Sequence, residues 1–484
     1  MSEAGRTADA EAGESIYRSV LGRGVIYTFA TIAPFLSALL VTPFVTRALG
    51  PAEYGSAAVG ITLYQFAGAL FALGLPMAVT RFAIVEQSGP KGARGLVLFG
   101  AAAAFVLGGA GALTVHWWGA GLFPGDAISG APAPLLSAAG LAVVTLVQGY
   151  QRAMNRAVQF VVLAFATSFS GPPLGLLTTV ILGPSAAHYL WGVAIGQVLV
   201  GIGALLVVAV AGKPALTRQE ARRALAMSVP TLPHQLATTL LTMALVIIAR
   251  LLLGDVQAGA VQLALFIGTA PMVVLSAFNT AWAPMVYRAP DASRAEQLTD
   301  TTRLVACVVL VLISGLIAVA PFLAIVVAGP VADTPGFLAC ALIAAIGVTF
   351  MTVYLSNIHL VFYSGRTGLL GVTTPVSLAL SLAATVALVA TDADAGPQRV
   401  AIGIVLFYAL QAAASYLLRR RSGQRSQRLL PSTPWLASGV ALLVIWIALS
   451  PPWWAGIVVF LVVATAVAAL ELIRIKRDRG RRDH

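Results

Sequence analysis

The chain is 484 residues long, 59% hydrophobic and 10% charged, with a mean hydropathy of +0.90. That balance excludes a soluble globular protein. The formal net charge of +12 calls for no nucleic-acid partner, because the basic residues gather in short segments between apolar stretches, where membrane topology accounts for them. The two cysteines, Cys307 and Cys340, both lie inside apolar stretches. They exclude a disulfide framework and a metal cluster, and behave as small buried hydrophobes.

A helix needs roughly 20 apolar residues to cross the hydrocarbon core. Such stretches follow one another at 25–46, 56–80, 95–115, 133–150, 158–182, 190–211, 229–253, 259–284, 304–328, 336–360, 369–390, 399–418, 433–450 and 454–473. The expected fold is all-α: a polytopic membrane protein of about fourteen transmembrane helices, built as two six-helix lobes plus two extra C-terminal helices. Residues 1–24 are a polar tail of mixed charge, without the apolar run or small-residue cleavage site of a signal peptide.

The segments between the stretches alternate in charge. One set, from Arg6, Arg18 and Arg23 to the tail beyond Arg474, holds 27 of the 30 basic residues; the other keeps only Arg47, Arg250 and Arg399. Under the positive-inside rule the rich set is cytoplasmic. An even number of spans, both termini in the cytoplasm and a location in the cell inner membrane follow as expectations.

The first two stretches are punctuated by Arg47-Ala-Leu-Gly-Pro-Ala-Glu-Tyr-Gly55 and end on Pro76-Met-Ala-Val-Thr-Arg81. The seventh and eighth repeat this with Arg250-Leu-Leu-Leu-Gly-Asp-Val-Gln-Ala-Gly259 and Pro284-Met-Val-Tyr-Arg288. Two matched marks argue for duplication of a six-helix unit, with the substrate path expected between the halves. The expected boundaries are an N-lobe at 25–212, a C-lobe at 213–418 opening on a basic amphipathic linker to Ala226, a basic loop at 419–432, extra spans at 433–473 and a basic tail at 474–484. Prolines fall in or beside several spans, including Pro34 and Pro43 in the first and Pro230 and Pro233 in the seventh. They kink helices that either line a cavity or simply pack. Trp117, Trp118, Trp191, Trp453 and Trp454 read as an interfacial belt.

No catalytic constellation is visible, and neither a cofactor nor a metal is expected. The acids of the arginine-poor loops, Glu53, Asp126, Asp255, Asp333, Asp392 and Asp394, are few and scattered. Within the spans only Glu471 is acidic, at an inner end, so no mid-depth carboxylate is offered for ion coupling. The arginines are the remaining charges. Arg47 and Arg250 break the charge rule at equivalent places, and a guanidinium grips phosphate with two parallel hydrogen bonds. Each also sits at a helix C-terminus, where a cation complements the dipole; both readings stand. Arg81, Arg288 and Arg23 lie at inner ends, where snorkelling is the simpler account. Gln65, Gln262 and Asn279, with Gln148, Gln197, Gln235, Asn357 and Gln411, either line a hydrated cavity or bond between helices. His234 and His359 read as packing residues.

The stretch Phe44-Val-Thr-Arg-Ala-Leu-Gly-Pro-Ala-Glu-Tyr-Gly55, followed by Leu73-Gly-Leu-Pro-Met-Ala-Val-Thr-Arg81, resembles the N-terminal signature of bacterial polysaccharide flippases. These form a branch of the multidrug/oligosaccharidyl-lipid/polysaccharide exporter superfamily. Ser228-Val-Pro-Thr-Leu-Pro-His234 and Leu275-Ser-Ala-Phe-Asn-Thr-Ala-Trp-Ala-Pro-Met-Val-Tyr-Arg288 fit as well. The resemblance implies flipping of an undecaprenyl-diphosphate-linked oligosaccharide, with Arg47 and Arg81 at motif positions. Arg250 stands where the family often has an acid followed by Arg, but Ala249 replaces that acid. The implied partners are the lipid-linked glycan, membrane lipids and the polysaccharide polymerase machinery. A multidrug antiporter of the same superfamily, a lipid II flippase and a membrane glycan polymerase or ligase are the alternatives.

Overall fold

The computed structural model describes residues 3–123, 125–364, 369–391, 396–421 and 431–480, and among them there is no strand. In chain order the α-helices are α1 (Glu3–Phe71), α2 (Leu75–Ile84), α3 (Gly89–Trp118), α4 (Pro132–Ala153), α5 (Ala157–Leu182), α6 (Ala186–Val210), α7 (Arg218–Ser228) and α8 (Leu232–Leu253). Then come α9 (Asp255–Gly268), α10 (Ala270–Arg288), α11 (Asp291–Leu323), α12 (Phe337–Tyr363), α13 (Leu370–Ala390), α14 (Pro397–Arg421), α15 (Thr433–Leu449) and α16 (Trp453–Gly480).

Eleven helices among the described residues are long and apolar enough to cross a membrane, and twelve if the pair α9–α10, bent by 42°, is one broken span. The hydropathy count of about fourteen exceeds this for two reasons. The stretches 25–46 and 56–80 are counted together here, although they lie on two helices that α1 joins across a kink at Gly50 (φ 71°, ψ 173°), the second running on into α2. Helix α15 has only 17 residues.

Two compact units emerge: one made of the chain up to Leu49 plus Gly60–Leu236, the other of Gly50–Val59 plus the chain from Ala237 onward. In the first, α4 is the central helix; Ala138, Ala139, Ala142, Val143, Leu146 and Val147 are fully buried. Its partner α6 approaches so closely that a Cβ on Gly140 would meet the Gln197 carbonyl at 2.4 Å. Small residues at helix contacts are what drives association when lipid is as apolar as the side chains. In the second unit α12 takes the central place, with Cys340, Ala341, Ala344, Ala345 and Val348 fully buried. Both cysteines are free and buried. Large apolar side chains such as Val162, Val180, Leu199, Leu206 and Val210 are mostly exposed on α5 and α6, as a lipid-facing surface requires.

Helices α15 and α16 dock on α11. Glu471 of α16 meets Arg303 of α11 at 2.6 Å, both carboxylate and guanidinium largely buried, and Arg474 meets Asp300 at 2.7 Å. Glu471→Gln is expected to loosen this hairpin, since removing one partner strands a poorly solvated charge at a cost of roughly 2–3 kcal/mol. Hydrogen exchange of 453–474 should rise more than tenfold while that of α4 stays constant; equal protection would show the pair to be idle.

Candidate functional site

Helix α1 ends at Phe71, and the chain turns through Leu73 (φ 52°) and Gly74 (φ 66°) into α2. Gly74 meets both demands on a glycine: positive φ, and a Cβ that would sit 3.0 Å from the Ser228 carbonyl. Pro76 then opens α2, where a missing N–H costs nothing. A Cβ on Gly149 would lie 2.8 Å from the Pro76 carbonyl, so α2 is pressed against α4. Thr80 Oγ1 donates to the Gly149 carbonyl at 3.1 Å.

This packing leaves a cavity of about 550 Å³ walled by Arg81 of α2, Arg152 of α4 and Gln235 of α8, with Met77, Ile84 and Val85 beside them. A second hollow of about 320 Å³ shares Gly74, Met77 and Arg81 and extends to Met227, Ser228 and Thr231. Arg81 Nε stands 3.5 Å from Glu86, whose other oxygen is 4.0 Å from Arg223. Arg152 lies over the Phe160 ring, 5.6 Å from its centroid, within cation–π range. The neighbouring basic loops converge here: Arg94 Nε donates to the Tyr150 hydroxyl at 3.0 Å, and Ala215 N–H to the Lys91 carbonyl at 3.0 Å. Loops that the charge alternation groups together thus share one end of the first unit. At the other end, Trp191 Nε1 donates to the Ser129 carbonyl at 3.1 Å.

In the second unit α8 closes at Gly254 (φ 103°, ψ 176°), the counterpart of Gly50 in the repeat, and α9 begins at Asp255. Arg250 is buried, its side chain 4% exposed, and its Nε meets Asp255 Oδ1 at 2.8 Å. Asp255 therefore supplies, across the helix break, the acid that Ala249 does not. Both Nη groups of Arg250 are buried without a hydrogen-bond partner among the described residues. Two buried, charged donors left unmatched are costly, and they are matched at once by an anion.

The other sequence-derived candidates fall in different settings. Arg47, the repeat partner of Arg250, is exposed, and its Nη1 donates to the Pro43 carbonyl at 2.6 Å. Gln65 is exposed on its helix. Gln262 accepts from the Tyr54 hydroxyl at 2.8 Å, an interhelical bond inside the second unit. Asn279 has its Oδ1 buried with no hydrogen-bond partner among the described residues. The side chains of Arg23 and Arg288 lie outside the described residues, as do Asp126, Asp392 and Asp394 and most of the basic loop 419–432. His359 is buried against Trp282 and Tyr287, a packing role. Nothing in the sequence marks Arg152, Glu86 or Tyr54 as members of these clusters: Arg152 and Tyr54 reach theirs through tertiary packing, and Glu86 reaches Arg81 around the end of α2, where no helical spacing pairs them.

The model of a family described as polysaccharide biosynthesis protein matches residues 21–289, more than half of the chain. No curated protein matches by sequence. Among solved structures, a multidrug resistance MATE family transporter of the MOP superfamily, inward-facing, superposes with a TM-score of 0.64 at 15% identity, covering 81% of this chain and 97% of its own. An outward-facing one gives 0.53 at 16% identity, over 81% and 95%. A MOP superfamily transporter from Pyrococcus furiosus, whose description stresses the reverse polarity of its binding pocket, gives 0.55 at 15% identity, over 82% and 95%. These likenesses establish the fold. With the family match, they make the chain a multi-pass membrane protein of MATE-like architecture that belongs to the polysaccharide biosynthesis protein family.

Proposed function

We propose that the protein is a transporter that flips an undecaprenyl-diphosphate-linked oligosaccharide from the inner to the outer leaflet of the cytoplasmic membrane by alternating access, with both termini cytoplasmic. The observation that carries this reading is Arg250: two buried Nη donors without an acceptor among the described residues, in a chain of a polysaccharide biosynthesis family. A diphosphate supplies the acceptors in a geometry the planar fork matches. Arg47, Arg81, Arg288 and Arg23 would add to the basic path, and the polymerase machinery would consume the product. Outward movement of the anionic head is favoured by an inside-negative potential, by about 2.3 kcal/mol per charge per 100 mV. A multidrug antiporter calls for an available acid within a span, and Glu471 is already held by Arg303.

The test is outer-leaflet accessibility of the lipid-linked glycan in cells with the protein, without it, and with Arg250→Ala. The glycan is expected to stay inside in the deletion and to cross at least tenfold more slowly in the variant. Normal crossing in the deletion would overturn the assignment.

A further inference from the structure

Helices α4 and α5 of the first unit meet in a tight turn. Asn155 takes a left-handed φ of 55° there, which asparagine tolerates better than most residues, and the Arg156 N–H donates back to the Gln151 carbonyl at 2.9 Å. The turn sets Gln151 beside Arg156 at one end of a hollow of about 460 Å³ on the flank of α5 and α6, walled among others by Gln151, Gln159, Val162, Val200, Gly203 and Val207. Away from the glutamines the wall is aliphatic and open. Val162 is 62% and Val207 51% exposed, and a Cβ on Gly203 would meet nothing within 4 Å. Gln151 itself is only 5% exposed, yet its Oε1 has no hydrogen-bond partner among the described residues. A buried amide oxygen without a donor carries a desolvation cost that nothing returns. Arg156 gives one N–H to the neutral Gln159 Oε1 at 3.5 Å, which leaves its charge unmatched by that contact.

These features select an occupant. A spanning helix, about 30 Å long and 10 Å across, displaces on the order of 2,000 Å³ and does not fit inside; a single acyl chain does. At the polar end the Gln151 oxygen needs a donor and the Arg156 guanidinium an anion. Phosphatidylethanolamine brings a donor, but its ammonium would stand beside Arg156. Phosphatidylglycerol brings hydroxyl donors and a net negative charge together. We propose that the hollow is a binding site for one phosphatidylglycerol of the surrounding bilayer. An acyl chain lies along Val162, Val200 and Val207, the phosphate faces Arg156, and a glycerol hydroxyl donates to Gln151 once its terminal amide turns outward. The bound lipid ties the α4–α5 turn to α6 and stabilises the first unit by mass action. The site rests on no transport reading.

The experiment is native mass spectrometry of the full-length chain, titrated in detergent with phosphatidylglycerol, phosphatidylethanolamine and phosphatidylmethanol of identical acyl chains. Phosphatidylmethanol keeps the charge and lacks the hydroxyl; phosphatidylethanolamine keeps a donor and lacks the net charge. Phosphatidylglycerol is expected to bind roughly fivefold tighter than either, or better. Gly203→Phe, placed where a Cβ has open room, should fill the hollow and weaken binding by roughly tenfold or more. Gln151→Leu and Arg156→Gln should each cost roughly three- to tenfold. The first should erase the preference over phosphatidylmethanol and the second the preference over phosphatidylethanolamine. Gln151→Leu also removes an unmatched buried oxygen, so weaker binding with a melting temperature at or above that of the native chain separates a lost ligand contact from misfolding. A tie between phosphatidylglycerol and either probe on the native chain overturns the assignment, and full affinity in Gly203→Phe overturns the site. A dimer that Gly203→Phe abolishes while lipid binding persists would also overturn it, in favour of a second copy on this face.

Discussion

Gly55→Ala is expected to leave almost no folded protein, read as the monodisperse fraction extracted in mild detergent. Segment 50–59 of α1 belongs to the second unit, and a Cβ on Gly55 would stand 1.8 Å from the Asp255 carbonyl oxygen and 2.4 Å from its carbon. Both are backbone atoms at the start of α9, where no rotamer change gives relief. The two helices must separate, and interiors packed like crystals resist that. The cost should exceed the roughly 1–3 kcal/mol of an ordinary overpacked core. Gly259→Ala is the graded control. Its Cβ would approach the Gly55 Cα at 3.1 Å, so a shift of tenths of an ångström suffices and the loss should stay near 1–3 kcal/mol. If both variants melt with the native protein, the close approach is not what joins these helices.

Asp255→Asn is expected to destabilise the second unit by roughly 2–4 kcal/mol, because Arg250 then remains buried with no counter-charge. The two partners are unequal: the Arg250 side chain is 4% exposed and that of Asp255 38%. The penalty therefore falls on the arginine, and direct attraction to a carboxylate half in solvent contributes less. Arg250→Met/Asp255→Asn removes the stranded charge and should recover most of the loss. Thermal unfolding of the two single variants and the double closes a thermodynamic cycle. A double variant as unstable as the sum of the singles would mean that the pair is not coupled.

Much of the fold was legible because the bilayer admits so few solutions. Stretches of about 20 apolar residues mark nearly every long helix, and arginine asymmetry groups loops that do meet at one end of the first unit. Gly50 and Gly254, each closing an Arg…Leu-Gly mark in the sequence, both take a positive φ with an extended ψ. The local environment of each mark was not legible. Arg47 is exposed and Arg250 buried, since burial depends on which helices arrive from elsewhere in the chain. Asp255 read as an outer-loop acid because a partner five residues away and across a helix break has no periodicity to announce it. Arg152 passed as one more orientation charge, because nothing in sequence brings the end of α4 to α2.

The placement of Gly50–Val59 in the second unit sets an order of events during synthesis. Tyr54 and Gly55 find their mates at Gln262, Gly259 and Asp255, about 200 residues later in the chain. At 5–20 residues per second this is on the order of 10–40 s. For that interval a conformationally strained hinge and a small-residue contact surface sit in the membrane without their counterpart. The second unit cannot reach its native packing from its own half of the gene. A split at the α6–α7 junction would yield a C-terminal fragment missing one of its own pieces, and only co-insertion with the N-terminal fragment would restore it.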